Sequence, residues 1–454
     1  MEEKNINKEH LFLKARLLSE GVDLTSSKEL SPELYRAWSL DKSGKQKGVE
    51  LPKKLDLDNP MALLSLFGEI KKEDTTVNFR PEIRFDSTGL RAQIHPNKRS
   101  RLELLIEGDT ASVIEKGKTL ITGKFPKRLE WLDQKLGGGI NATVGGLLPA
   151  MSAQVINVVI SLSCFNYNTG RGCRFCNLFS NPISRKISIL PMKILKLWAM
   201  GQGRAVKIAV DNGWKGSFAL SGGALAPAQR GEYLERLEVV LTTLKKALGD
   251  EKFNQIPKLY NHYPPEDFAD MHKWKEMGIT SVGIDLEVMD DAYYAAICPG
   301  KAAYKPLSYV RKAQEYSVKV FGPLFGTTGL LVMGIEPMST LVAGYEERMS
   351  KGILPMPVVF HPEPNSAYEG FRPPTAEWIV EASDKMADSF MKHFIKWLPA
   401  AIEHAEKWDG SFDLETGFAH TFNSLSHQTI LFDEIKLRLD KLLDGRPFSA
   451  LIEG

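Results

Sequence analysis

Three of the four cysteines in this 454-residue chain lie within one thirteen-residue span, at Cys164, Cys173 and Cys176. Their spacing is Cys-x8-Cys-x2-Cys, directly after an apolar run. Thiolates are soft ligands that suit zinc or iron–sulfur clusters. Gly170 and Gly172 flank Arg171 within the span, which predicts an exposed, turning loop. Such a loop favours metal ligation over the alternative of buried, unligated thiols.

The number of available ligands decides between zinc and iron. A structural zinc site takes four ligands, but Cys298 is more than a hundred residues away and no histidine lies near the loop in the sequence. Three cysteines on one loop can instead hold three corners of a 4Fe–4S cube and leave one iron open. We therefore predict a 4Fe–4S cluster on Cys164, Cys173 and Cys176, with a binding position at the fourth iron.

Polar residues also follow several apolar segments downstream of this loop. In SVGIDLEV, strand parity puts Gly283, Asp285 and Glu287 on one face. Acids at the carboxyl end of a barrel strand indicate an active site, because barrel active sites form at that end. The alternative is that they are structural carboxylates bonded to neighbouring backbone.

Histidines end two other segments, His262 in KLYNHY and His361 in PMPVVFHPEP, where Glu363 follows. A single histidine at a strand end is more often a hydrogen-bonded core residue than a catalytic one. Because a histidine can change charge near neutral pH, we predict His361 as a catalytic residue, in substrate binding or proton transfer. His262, His361 and Glu363 are expected at the same edge of the sheet.

The elements that must position these residues begin near residue 154. From there, strand-like segments and helical segments alternate in six strand–helix units, which predicts an α/β fold with a partial (β/α)6 TIM-like barrel over residues 151–371. Residues 1–150 read as an accessory α+β region, with a helix at HLFLKARLLSEG and later antiparallel strands. Residues 372–454 read as a C-terminal helical region.

Composition limits the function classes. The net charge is +2 with 25% charged residues, which argues against a nucleic-acid partner. Four cysteines in so long a chain are no disulfide scaffold. No apolar run reaches membrane-spanning length, so we expect a cytoplasmic protein with no membrane partner.

The sequence Cys173-Arg-Phe-Cys176 resembles the Cys-x-aromatic-Cys ending of the radical S-adenosylmethionine (radical SAM) motif, in which Phe175 would lie beside the cluster. The usual spacing in that family is Cys-x3-Cys-x2-Cys, so this chain has five additional residues before Cys173. The segment Ser221-Gly222-Gly223-Ala224 resembles the Gly-Gly-Glu motif that meets the methionyl amino group, with Ala224 in place of the acid.

Three further segments resemble the same family at the expected strands. Residues 283–287 (GIDLE) resemble the fourth-strand segment near the ribose, residues 329–336 (GLLVMGIE) the fifth-strand segment that supports adenine, and residues 358–364 (VVFHPEP) the sixth strand. The resemblance covers roughly residues 154–370. The cofactor-binding residues that it implies are Phe175, Ser221, Gly222, Gly223, Asp285, Glu287, Gly334 and Glu336.

The resemblance implies the chemistry as well. The open iron would bind S-adenosyl-L-methionine, and an electron from a reductant such as ferredoxin or flavodoxin would yield a 5′-deoxyadenosyl radical. That radical would abstract hydrogen from an unreactive carbon of a small-molecule or peptide substrate. The alternative is an iron–sulfur scaffold or electron carrier of the same ancestry that does not cleave S-adenosylmethionine.

The number of cysteines further limits the reactions that the chain could catalyse. The layout of residues 283–300 is similar to biotin synthase, but sulfur-inserting relatives need a second cluster, and only Cys298 remains to hold one. We therefore predict hydrogen abstraction without sulfur insertion. Cys298 itself is predicted as a catalytic residue. The alternative is that it is a small buried residue of the core.

Overall fold

The computed structural model describes residues 6–26, 82–176, 191–406 and 421–451, except for 109, 127–128, 139, 149, 153, 162–163, 364–365 and 423. Pro364, at the end of the predicted sixth-strand segment, therefore lies outside the described residues. So do residues 77–81, at the start of the segment predicted to form antiparallel strands, and residues 162–163, between the apolar run and Cys164.

The described part of the N-terminal region contains a helix and a five-stranded antiparallel sheet. The helix α1 spans Lys8–Glu20 and begins with a capping box, in which the Asn7 side chain accepts a hydrogen bond from His10 N. The sheet has the strand order β2-β1-β5-β4-β3. Its strands are Glu82–Phe85 (β1), Arg91–Gln93 (β2), Glu103–Glu107 (β3), Thr110–Glu115 (β4) and Lys118–Lys124 (β5).

Within residues 135–147, a short hairpin and a helical turn precede the main sheet. The hairpin pairs Lys135–Gly137 (β6) with Ile140–Thr143 (β7), and the turn Val144–Leu147 (α2) follows. The Thr143 side chain caps this turn by accepting a hydrogen bond from Gly146 N.

Among the described residues, the main sheet comprises seven strands in the order β14-β13-β12-β11-β10-β9-β8. Strands β9 to β14 are parallel and in chain order, which confirms the predicted parallel α/β class, while β8 pairs antiparallel with β9. The strands are Ala150–Ser152 (β8), Val155–Ser161 (β9), Ser217–Gly222 (β10), Lys258–Asn261 (β11), Ser281–Gly283 (β12), Leu324–Met333 (β13) and Ile353–Val359 (β14).

Helices follow each parallel strand, as the alternation of patterns predicts. Most carry an apolar stripe that packs into one large core with the sheet. They are Phe165–Asn168 (α3), Met192–Asp211 (α4), Tyr233–Leu248 (α5), Asp250–Gln255 (α6), Asp270–Glu276 (α7), Asp291–Ile297 (α8), Pro299–Tyr304 (α9), Leu307–Phe321 (α10), Met338–Ser350 (α11), Ala376–Glu406 (α12) and Leu431–Leu443 (α13).

One predicted strand is shorter than the sequence pattern indicates. Strand β12 ends at Gly283, so the alternation assumed for SVGIDLEV does not continue to Glu287. Glu287 has φ of 68°, in the left-handed region, and forms an isolated bridge with Leu331. The reason is that Asp285 accepts a hydrogen bond from Leu330 N at 2.8 Å, and this side-chain contact replaces a rung of the backbone ladder.

The N-terminal helix packs against the C-terminal helices. Ala15 and Leu18 of α1 form a small buried cluster with Ala376 and Ile379 of α12 and with Ile430, just before α13. Within the described ranges, no helix combines the length and the apolar character that crossing a membrane requires.

Candidate active site

The cysteine loop begins at the carboxyl end of β9 and is fixed to the next strand's loop. Cys164 is the N-cap residue of α3, and the adjacent Phe165 N donates to Ala224 O at 2.8 Å. The Asn166 side chain donates to the hydroxyl of Tyr263 at 2.9 Å. The loops after β9, β10 and β11 therefore meet at the first cysteine.

The end of the cysteine loop is fixed to the segment around α8 and α9. Arg174 N, between Cys173 and Cys176, donates to Ile297 O at 2.8 Å, and Gly300 N donates to Arg171 O at 2.9 Å. All three loop cysteines are half-buried. A loop held on both sides, with three partly accessible thiols, fits the ligand set of an iron–sulfur cluster.

Cys298 lies beside this loop, although it is distant in the sequence. Its thiol is fully buried and contacts the thiol of Cys173. Burial raises the pKa of Cys298 well above its ordinary value, and the proximity of Cys173 raises the pKa further. Burial likewise raises the pKa of Cys164.

Glu287 pairs with a cation that sequence reasoning missed. Lys301 Nζ lies 2.5 Å from Glu287 Oε1, and both side chains are nearly buried. Lys301 Nζ also lies 5.2 Å from the centre of the Tyr263 ring. Burial lowers the pKa of Lys301, but the negative groups around it, Glu287 foremost, together outweigh burial and leave that pKa well above its ordinary value. Lys301 is therefore an ammonium group, held beside the Glu287 side chain.

Asp285 and Glu336 each accept hydrogen bonds from backbone amides. Asp285 accepts from Leu330 N, and burial, with the charge of Glu287, raises its pKa to about 6. Glu336 accepts from Met289 N at 2.9 and 3.0 Å, and burial raises its pKa to about 7. These carboxyl groups hold the turns after β12 and β13 in place.

The predicted glycines serve close packing in this structure. A Cβ atom on Gly222 would lie 2.7 Å from Ser161 N, because strands β9 and β10 approach closely at a bulge after Ser221. Gly334 has φ of 96°, which disfavours any other residue. Gly223 is buried, and Phe175 packs partly against the main core.

The two strand-end histidines lie in different surroundings. His262 is buried, its ring packs edge-on against Tyr233, and burial lowers its pKa to about 3, so that the ring is neutral. His361 stacks on His95 with 3.5 Å between ring centres. Glu363 Oε1 lies 3.7 Å from His361 Nδ1. His95 comes from the N-terminal region, and nothing in its sequence context singled it out.

Comparison with known proteins identifies the family. No family model matches the chain. The chain is 35% identical over 405 residues to the bacteriochlorophyllide c C-7(1)-hydroxylase of Chlorobaculum limnaeum, a match that covers 88% of this chain and 89% of that protein. The chain belongs to the radical SAM superfamily. Radical SAM proteins use a 4Fe–4S cluster and S-adenosylmethionine, and these are the cofactors of this enzyme.

A more distant likeness concerns a solved structure. The X-ray structure of the FeFe-hydrogenase maturase HydG from Carboxydothermus hydrogenoformans is 11% identical, with a TM-score of 0.30, over 64% of this radical SAM chain and 81% of that one. A likeness at this level carries no argument about fold or function.

Proposed function

We propose that this enzyme abstracts hydrogen from an unactivated carbon of a small-molecule substrate, using a radical generated from S-adenosylmethionine. The observation that carries the proposal is the loop of three half-buried cysteines at the carboxyl edge of the parallel sheet. Cys164, Cys173 and Cys176 would hold the cluster. When bound, the cluster and S-adenosylmethionine together supply a 5′-deoxyadenosyl radical.

The surrounding residues would bind and orient the cofactor. Glu287 and Lys301 place opposite charges within the same buried region as the cysteine loop. A zwitterionic amino acid group, such as the methionyl part of the cofactor, is complementary to such a pair of charges. Asp285 and Glu336 would act as positioning residues, since they hold the turns that carry this pair.

The remaining predicted cofactor residues lie on neighbouring loops. Ser221, Gly222 and Gly223 end β10, next to the cysteine loop, and Gly334 follows β13. Phe175 lies between two of the proposed ligands, where its ring would contact the cofactor. In this proposal these residues shape the walls of the pocket, and they exclude water from the radical.

We further propose the arrangement of domains. Strands β9 to β14 with their helices would form a partial (β/α)6 barrel over residues 151–371. Residues 1–150 would form an accessory α+β domain and residues 372–454 a helical domain. The contact of α1 with α12 supports a closed arrangement in which both outer domains pack together.

The hydroxylase relative indicates a class of substrate to test first. That protein is named for hydroxylation of bacteriochlorophyllide c. We propose a related macrocyclic small molecule as the substrate, with hydroxylation as the outcome. After the hydrogen atom is removed, the substrate carbon would lose one further electron to a one-electron acceptor, and water would supply the oxygen atom with release of a proton. His361 would contact the substrate, and a ferredoxin or flavodoxin would supply the electron.

The experiment is anaerobic reconstitution of the cluster, followed by incubation with dithionite and S-adenosylmethionine. Formation of 5′-deoxyadenosine supports the radical mechanism, and the Cys173→Ala variant should form none. Addition of bacteriochlorophyllide c should then give a product heavier by one oxygen atom if the substrate class is shared. An absence of 5′-deoxyadenosine with a full cluster would instead favour the scaffold or electron-carrier alternative.

A further inference from the structure

We propose that His95, His361 and Glu363 bind one divalent first-row transition metal ion, at a site separate from the cysteine loop. One ligand atom from each of these residues lies within 4.8 Å of the other two. Two imidazoles and one carboxylate form a ligand set that binds zinc or iron(II) and leaves coordination positions open. Among the described residues, this is the one group of three histidine, cysteine or acidic residues gathered so closely.

The three side chains of the group lie close together. The rings of His95 and His361 stack at 3.5 Å with only 10° between their planes. The separation between His361 Nδ1 and Glu363 Oε1 is 3.7 Å. Two atoms that each lie about 2.1 Å from a common ion are themselves roughly 3–4 Å apart. Because stacked rings direct their nitrogen lone pairs side by side, the two imidazoles would have to tilt towards a common point to bind one ion.

Hydrogen bonding within the described residues does not account for the position of His361 Nδ1. A separation of 3.7 Å is too long for a hydrogen bond. His361 Nδ1 is inaccessible to solvent and has no hydrogen-bond partner in the part of the chain that the structure describes. Buried polar atoms almost always have a hydrogen-bond partner, so a buried polar atom without one needs an explanation. A metal ion coordinated by His361 Nδ1 would be the missing partner of this nitrogen.

The backbone holds all three residues in place without the ion. Val22 N donates to His95 O at 2.8 Å, which joins the segment after β2 to the end of α1. Phe360 N, just before His361, donates to Met333 O at 2.9 Å. The side chain of Ser366 donates to Glu363 O at 2.7 Å. Preorganised ligands lower the entropic cost of binding an ion.

Charge balance also favours a divalent cation. Two neutral imidazoles and one carboxylate carry a single negative charge, so that a bound divalent ion retains a positive charge and an open position for water or an oxygen ligand. The His95 ligand comes from the N-terminal region and the other two come from the loop after β14. The ion would thus cross-link these regions. The inference does not depend on the proposed function, because metal binding can be measured without substrate.

The test uses the full-length protein with its cluster reconstituted, so that the cysteines are occupied. After removal of loose metal with a chelator, the protein is titrated with Zn²⁺ under anaerobic conditions by calorimetry. We expect one zinc ion per chain beyond the cluster iron, with the contents of both metals measured by mass spectrometry. The variants His95→Ala and Glu363→Gln should each weaken zinc binding by about tenfold or more.

The control is His272→Gln, which changes an exposed histidine that contacts Tyr316 and lies outside the group. This variant should bind zinc as the parent protein does. Zinc should also raise the unfolding temperature of the parent and of His272→Gln, but not that of Glu363→Gln, whose near-isosteric side chain preserves the fold. If the parent binds no additional zinc, or if both ligand variants bind it unchanged, the proposal is wrong. Iron(II) that competes with zinc for the same position would support the site.

Discussion

Lys301 Nζ lies 2.5 Å from Glu287 Oε1, and side-chain exposure is only 14% for the lysine and 7% for the glutamate. Glu287 holds this position with φ of 68°, a conformation that costs a glutamate of the order of 1–3 kcal/mol. Its backbone is held there by Leu330 O and Val332 N of β13. A strained residue in a buried ion pair beside the proposed cluster loop indicates a functional position.

The first prediction separates cofactor binding from stability at this pair. Glu287→Gln alone should lower the unfolding temperature, because it leaves the Lys301 charge buried and unpaired. The double variant Glu287→Gln, Lys301→Met removes both charges and should recover most of the stability. It should still bind S-adenosylmethionine about tenfold or more weakly by anaerobic calorimetry. If the double variant recovers the parent's affinity for S-adenosylmethionine as well as its stability, the ion pair has a purely structural role.

The second prediction concerns the cluster ligands. The reconstituted protein should bind about four irons per chain, the content of one 4Fe–4S cluster. Alanine at Cys164, Cys173 or Cys176 should abolish the cluster absorbance. Cys298→Ala should keep it, even though the Cys298 thiol contacts Cys173. Iron content and paramagnetic resonance measure both outcomes.

Two results would contradict this assignment. If Cys164→Ala keeps the full cluster with unchanged spectra, then Cys298, already adjacent to Cys173, becomes the candidate for the first ligand. If the intact protein carries two clusters, the argument from cysteine number fails and sulfur insertion becomes possible again. Cys298→Ser serves as a matched variant, because it preserves the volume of the buried side chain.

Sequence periodicity predicted most of the main sheet. Each buried apolar run became a parallel strand, and each amphipathic run became a helix, because burial on a sheet demands those patterns. The prediction for SVGIDLEV was less accurate. There, a side-chain hydrogen bond from Leu330 N to Asp285 ended the ladder early, and such local competition leaves no periodic signal.

The candidate site was predictable only where its residues are close in the sequence. The cysteine loop was visible as a motif, but the positions of Cys298 and Lys301 depend on how the α8–α9 segment packs onto that loop. His95 joins His361 only because α1 and the N-terminal sheet pack against the end of β14. Contacts between distant segments depend on tertiary packing, which a single sequence does not encode in its local pattern.

The third prediction concerns His361. If it contacts the substrate, His361→Gln should reduce substrate turnover while S-adenosylmethionine is still cleaved without product formation. The ratio of 5′-deoxyadenosine to product, measured by chromatography, should therefore rise above that of the parent protein. Equal losses of cleavage and turnover would place His361 in the cofactor site or in the fold instead.

The fourth prediction concerns Glu336 and pH. Burial raises the pKa of this carboxyl group from 4.5 to about 7. The folded state therefore holds a proton that the unfolded state has lost between those pH values. The contribution of Glu336 to the free energy of unfolding is complete below pH 4.5 and declines as pH rises towards 7, by up to about 3 kcal/mol. Glu336→Gln should lack this decline in denaturant unfolding under anaerobic conditions. If the free energy of unfolding changes with pH equally in the parent and in Glu336→Gln, the pKa of Glu336 is not raised.

The last prediction concerns the contact between the two ends of the chain. Lys14 of α1 is fully buried, and its Nζ lies 2.5 Å from Asp433 Oδ2 of α13 and donates to Ser426 O. Burial lowers the pKa of Lys14 and raises that of Asp433, so each charge depends on the other. Lys14→Met leaves a carboxylate buried without its partner and should cost about 3–5 kcal/mol in the free energy of unfolding.

The double variant Lys14→Met, Asp433→Leu provides the matched control. It removes both charges and keeps the apolar volume between α1 and α13, so it should regain most of the lost stability. Lys207→Met serves as a surface reference, because the Lys207–Asp211 pair is solvent-exposed, and its loss should cost less than about 1 kcal/mol. Denaturant unfolding measures the free energy of unfolding of the parent protein and of each variant. If Lys14→Met costs no more than Lys207→Met, α1 is not held to α13 by this ion pair, and the closed packing of the two ends must rest on their apolar contacts alone.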